Sequence, residues 1–145
     1  MKKFKYLLIL LSLIFLTSCE SLYQTLDPMD ASFYEGITEY DINQDITVNI
    51  RGYINKSKHL SAKIGLRLYC NDEWANIKDL TSTEGVIDKN CILLDKDILG
   101  DINLDFSFKI TESGNYTLLL EIYAPREEYP KAYSDYEKNL TFTVK

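Results

Sequence analysis

The chain of 145 residues holds one histidine, one tryptophan, three prolines, three cysteines and six glycines, and its 16 basic residues are outnumbered by 22 acidic ones. Each shortage removes a class of function. The lone histidine, His59, lies in the polar run Asn55-Lys56-Ser57-Lys58-His59 with no nearby serine or cysteine marked as its partner. Acyl transfer by a nucleophile and its imidazole base therefore has no foothold, and a solvated loop side chain is expected there. One histidine and three cysteines are too few for a His- or Cys-rich zinc or transition-metal site, so neither metal nor cofactor is expected. A surface short of lysine and arginine is a poor match for nucleic acid, which is bound by neutralising phosphates. Only one long apolar run exists, Leu7 to Leu16 broken by Ser12, and it is too short to span a bilayer. Low-complexity tracts are absent too, and with 46% hydrophobic residues the bulk of the chain is expected to fold as one domain.

What is present at the start is more telling. Residues 1–18 combine a basic opening (Lys2, Lys3, Lys5), the apolar run, and small Thr17 and Ser18 before Cys19, the three parts of a secretory signal. Leu16-Thr17-Ser18-Cys19 resembles the bacterial lipobox, Leu-small-small-Cys. The resemblance implies a diacylglyceryl group on the Cys19 thiol, cleavage after Ser18, and acylation of the new amino terminus by a fatty acid such as palmitate. Two or three acyl chains anchor stably where one is marginal. The lipid bilayer is then a partner through Cys19, and the bacterial cell envelope is the expected location. By resemblance to enterobacterial sorting, Asp after the lipidated cysteine retains a protein at the inner membrane; Glu20 stands here, which leans toward the outer membrane in a two-membrane organism. Residues 1–18 contain three lysines and no acid, so from Cys19 onward 13 basic residues face 22 acidic ones, a net charge of −9. Residues 19–33 are polar with an Asp27-Pro28 turn signal and are expected to be a tether with a reach of ~45 Å when extended.

From residue 34 onward the pattern has period two. Ile46, Val48 and Ile50, then Ile64, Leu66 and Leu68, then Ile102 to Ile110, then Tyr116 to Ile122, then Leu140, Phe142 and Val144 alternate with polar neighbours. Each run reads as a half-buried strand, and Cys91 to Leu94 reads as one more. The middle, Glu73 to Leu94, is the hardest to assign; Trp74, Ile77 and Leu80 are spaced for one or two helical turns. About seven such strands predict an all-β, antiparallel two-sheet sandwich over residues 34–145. Glu112-Ser113-Gly114-Asn115-Tyr116-Thr117-Leu118 resembles the immunoglobulin-type corner motif. That implies an Ig-like architecture in which the Tyr116 hydroxyl bonds back to the backbone, although Leu118 stands where antibody domains carry their second cysteine.

With Cys19 acylated, Cys70 and Cys91 remain. An even count in a compartment that permits disulfides predicts a Cys70–Cys91 bridge, with two buried thiols as the alternative. Asp95 to Asp105 is acidic but fails the spacing of a calcium loop, since Leu99 and Phe106 occupy ligand positions. Asp101, Asn103 and Asp105 read instead as the wet face of a strand. The segment Ala124 to Asn139 is long for a connection between strands and carries Tyr129, Tyr133 and Tyr136, a composition suited to recognition. The expected function is a non-catalytic interaction or adhesion module with a protein partner. The alternatives are a glycan-binding module, which requires two coplanar exposed rings at Trp74 or the tyrosines, and a small inhibitor of a cell-wall or host enzyme.

Overall fold

The computed structural model describes residues 26–124 and 136–145. Residues 1–18, Cys19, Tyr129 and Tyr133 lie outside the described residues. The strands are β1 (Leu26–Phe33), β2 (Glu39–Tyr40), β3 (Ile46–Ile54), β4 (Ser61–Cys70), β5 (Glu73–Ala75), β6 (Lys78–Ser82), β7 (Val86–Asp88), β8 (Cys91–Asp95), β9 (Gly100–Lys109), β10 (Gly114–Tyr123) and β11 (Tyr136–Val144). They form a four-stranded sheet in the order β1-β3-β9-β6 and a seven-stranded sheet in the order β2-β11-β10-β4-β8-β7, with β5 paired to β4. All neighbours are antiparallel except β2 and β11. The architecture is the two-sheet sandwich that the alternation predicts.

Each long strand turns one face inward because its apolar residues recur every second position. Ile46, Val48 and Ile50 of β3 and Ile102, Leu104, Phe106 and Phe108 of β9 are buried against Ile64, Leu66 and Leu68 of β4 and Leu118, Leu120 and Ile122 of β10. Burying each such side chain is worth roughly 1.5–3 kcal/mol. Phe142 of β11 ties the layers together, with ring centroids 5.4 Å from Phe33, 6.1 Å from Phe108 and 5.6 Å from Tyr116.

At the entry to β10 the Tyr116 hydroxyl donates to the Glu112 carbonyl at 2.8 Å, and burial pushes its pKa up. Gly114 is needed there for space: a Cβ would sit 2.9 Å from the Cys70 Sγ and 3.3 Å from the Tyr116 ring. Replacing Tyr116 with Phe is expected to cost about 1 kcal/mol, seen as a lower urea midpoint at unchanged slope.

Four expectations need correction. Residues Leu26–Phe33 are not tether: they form β1 along β3, from Leu26 opposite Ile54 to Phe33 opposite Val48. Met29, Ala31 and Phe33 are buried, and the register shift between Asp27 and Asp30 accommodates Pro28 on an edge strand, where proline is tolerated. Trp74, Ile77 and Leu80 make no helix. The chain leaves β4 through a two-residue turn, Asn71 and Asp72, both at positive φ, as a tight hairpin requires. It pairs as β5 on one sheet and as β6 on the other. His59 is 1% exposed rather than solvated. Asn55 accepts from the Lys58 and His59 amides through its carbonyl and from the Ser57 amide through its side chain, winding the turn so that His59 tucks under. Finally, Tyr136 to Asn139 belong to β11, opposite Ile122 to Leu119, so the connection after Ala124 is shorter than expected.

Candidate functional site

The two outer faces of the sandwich differ. On the four-stranded sheet the outward side chains satisfy one another across strands. The Thr47 and Ser107 hydroxyls lie 2.8 Å apart, and the Asn49 amide donates to Asp105 at 2.6 Å and to Asn103 at 3.1 Å. This is an ordinary wet face, and it accounts for the acidic positions that raised the calcium reading. Among the described residues no group of three or more His, Cys, Asp or Glu is placed to hold a metal ion.

The seven-stranded sheet is different. Its pairing lays the outward residues in rows: Tyr123, Lys63, Leu93 and Val86, then Glu121, Gly65, Cys91 and Asp88, then Leu119 and Arg67, then Thr117, Tyr69 and Trp74. Gly65 contributes no side chain to the second row, and the sheet is hollowed there. The hollow is a groove of about 830 Å³. Trp74, 70% exposed, stands along it, and Leu93, 36% exposed, borders it.

Glu121 lines the groove beside Gly65 and is 7% exposed, although it points to the solvent side of the sheet. Its carboxylate receives the Arg67 Nε at 3.0 Å and the Tyr123 hydroxyl. The carboxylate pushes the Arg67 pKa up, and burial, then Glu121, push Tyr123 up. Glu121 also faces Glu137 on β11, and like charges directly opposite are unfavourable. The Arg67 contact offsets that repulsion.

The candidate residues read from the sequence are scattered relative to this groove. Cys70 and Cys91 are both free thiols. Cys70 pairs with Tyr116, while Cys91 pairs with Gly65, five residues back along β4, roughly 17 Å at strand spacing. They also occupy opposite faces, Cys70 among the core-facing positions and Cys91 on the outer row. A disulfide needs Cα atoms within about 7 Å, so the expected bridge is corrected to two separate thiols. The unfolding midpoint is therefore expected to be the same with and without a thiol reductant; a drop on reduction in monomeric protein contradicts it. Tyr136 is half-buried, packed on the core, with its pKa raised by burial. It serves the β10–β11 pairing, opposite Ile122, rather than a recognition loop. Trp74 does stand in the groove, but the Tyr69 and Trp74 rings, 4.9 Å apart, are tilted by 40°, not the coplanar platform that stacked sugars require.

Register also fixes what gathers at one end of the sandwich. Leu26 lies opposite Ile54, Ile54 opposite Gly100, Ser61 opposite Asp95 and Tyr123 opposite Lys63. The start of β1, the 55–60 and 96–99 turns and both strands flanking residues 125–135 therefore share that end.

No family model and no curated protein matches the chain. Among solved structures it is similar to self-complemented MyfA, the major subunit of Myf fimbriae from Yersinia enterocolitica, with a TM-score of 0.52 and 14% identity over 81% of this chain and 98% of that one. The fold is an Ig-like β-sandwich. A cohesin module from a Clostridium perfringens family 33 glycoside hydrolase also matches, with a TM-score of 0.47 and 8% identity over 83% of this chain and 97% of that one. At such identities the likeness is one of fold.

Proposed function

We propose that the chain is a non-catalytic lipoprotein of the bacterial cell envelope, held to the membrane through acylated Cys19, whose Ig-like domain binds a protein partner on the outer face of its seven-stranded sheet. The observation that carries the reading is the groove itself. A solvent face that leaves a tryptophan 70% exposed beside a nearly buried, ion-paired carboxylate carries the apolar and polar mixture of an interface core. The lipobox resemblance supplies the location, and β1 starts at the end of the sandwich shared by the 55–60 and 96–99 turns.

Two variants test it in cells. Cys19→Ser is expected to move the protein from the membrane pellet to the soluble fraction. Trp74→Ala is expected to stay at the membrane and to lose the partner recovered when the intact protein is cross-linked and purified from solubilised envelope. Retention of Cys19→Ser at the membrane contradicts the anchor. An unchanged partner for Trp74→Ala contradicts the binding face.

A further inference from the structure

Gly65 is the residue that makes the groove, and neither the backbone nor the packing asks for glycine there. It is absent from the positive-φ glycines, and a Cβ built on it meets nothing closer than 3.6 Å, the edge of the Tyr123 ring. An alanine would satisfy the fold. A larger side chain at position 65 would press on the Tyr123 ring edge and the Glu121 carboxylate, 3.6 and 4.0 Å from a built Cβ, and intrude on the groove that they border.

Charge around that space is reversed relative to the rest of the molecule. The lining carries Lys63, Arg67 and Lys89 against Asp95 and Glu121, and the Glu121 carboxylate is already paired with Arg67. From Cys19 onward the chain carries −9. Lys63 and Arg67 stand two residues to either side of Gly65 on the same strand face. In an extended segment lying along β4, side chains two positions apart also share a face. Such a segment can place an apolar side chain over Gly65 and an acid over each basic residue.

We infer that the groove seats a phenylalanine-, tryptophan- or leucine-sized side chain from an extended acidic segment of a partner protein, with flanking carboxylates on Lys63 and on Arg67 or Lys89. This rests on the reading of the domain as a protein-binding module. Glycan is disfavoured as the occupant by the 40° tilt between Tyr69 and Trp74.

Trp74 is the only tryptophan of the chain, so its emission reports on the groove alone. The probe is the heptapeptide Ser-Glu-Ser-Phe-Ser-Glu-Ser, titrated into the full-length protein in detergent. A saturable change in emission is expected, lost when the peptide Phe is Ser and weakened about tenfold when its Glu residues are Lys. Gly65→Leu is expected to abolish the response. Lys63→Glu, at an exposed position that leaves the core untouched, is expected to weaken it about tenfold. Three results overturn the inference: no saturable response to the Phe peptide, an equal response in Gly65→Leu and Lys63→Glu, or the same response to chitotriose. Envelope capture separates this from the broader reading. If Gly65→Leu still recovers the partner that the unaltered protein recovers, the groove assignment fails and the module stands. If the unaltered protein recovers no partner, the module itself fails.

Discussion

Truncation of Phe106 to alanine is expected to lower unfolding free energy by about 3–5 kcal/mol. Phe106 lies on β9, an interior strand of the four-stranded sheet, is 1% exposed, and stacks on Phe108 at 6.2 Å. Its ring fills the space between the layers, where no loop can collapse into the void. Domains of this size are stable by only about 5–15 kcal/mol, so the variant loses a large share of its margin. Urea unfolding followed by far-ultraviolet circular dichroism measures the effect. A loss below about 1 kcal/mol, the range of surface substitutions, would place Phe106 outside the core.

Gly85→Ala is expected to cost about 2–4 kcal/mol, from two sources. Gly85 has φ +83, a conformation that alanine adopts only under strain. Its Cβ would also lie 2.6 Å from the Leu93 carbonyl oxygen and 2.8 Å from the Leu94 Cδ2. The oxygen belongs to β8, whose pairing with β7 starts at Val86 opposite Leu93, so relief of the clash would pull the edge strand off the sheet. Gly36 is the internal control. Its φ is +70 with nothing within 4 Å of a built Cβ, and alanine there is expected to cost only about 1 kcal/mol. Equal costs at the two positions would mean that the contact with β8 is not made.

The long strands were legible because their inward residues repeat with period two, and that pattern survives whatever the neighbouring strand is. β1 carried the same signal in Met29, Ala31 and Phe33, but the Asp27-Pro28 turn signal outweighed it. The chain absorbs that proline in a register shift instead of a turn. The separation of Cys70 and Cys91 was legible as well. With Leu66 and Leu68 inward, Cys70 must follow them; with Ile92 and Leu94 inward, Cys91 must point out. Parity alone argued against the bridge that compartment and even count favoured.

The middle of the chain was illegible for a different reason. β5, β6 and β7 have three to five residues each, too few for a period to register, and they alternate between sheets. His59 gave no sign of burial because it closes the polar run that starts at Asn55, and it is the turn around Asn55 that carries it inward. The groove was hidden for the most general reason. It is made by the sideways order of β10, β4, β8 and β5, which brings Gly65, Glu121, Leu93 and Trp74 together from four separate stretches of sequence.

The central claim, that a partner is bound on the groove face, is tested most directly by site-specific photocross-linking of the membrane-anchored protein in cells. A photoreactive amino acid is placed at Leu93 on the seven-stranded sheet or, in a second strain, at Asn103 on the wet face of the four-stranded sheet. A discrete cross-linked species is expected from position 93 and none from position 103. The same species from both positions, or one from position 103 alone, would contradict the claim.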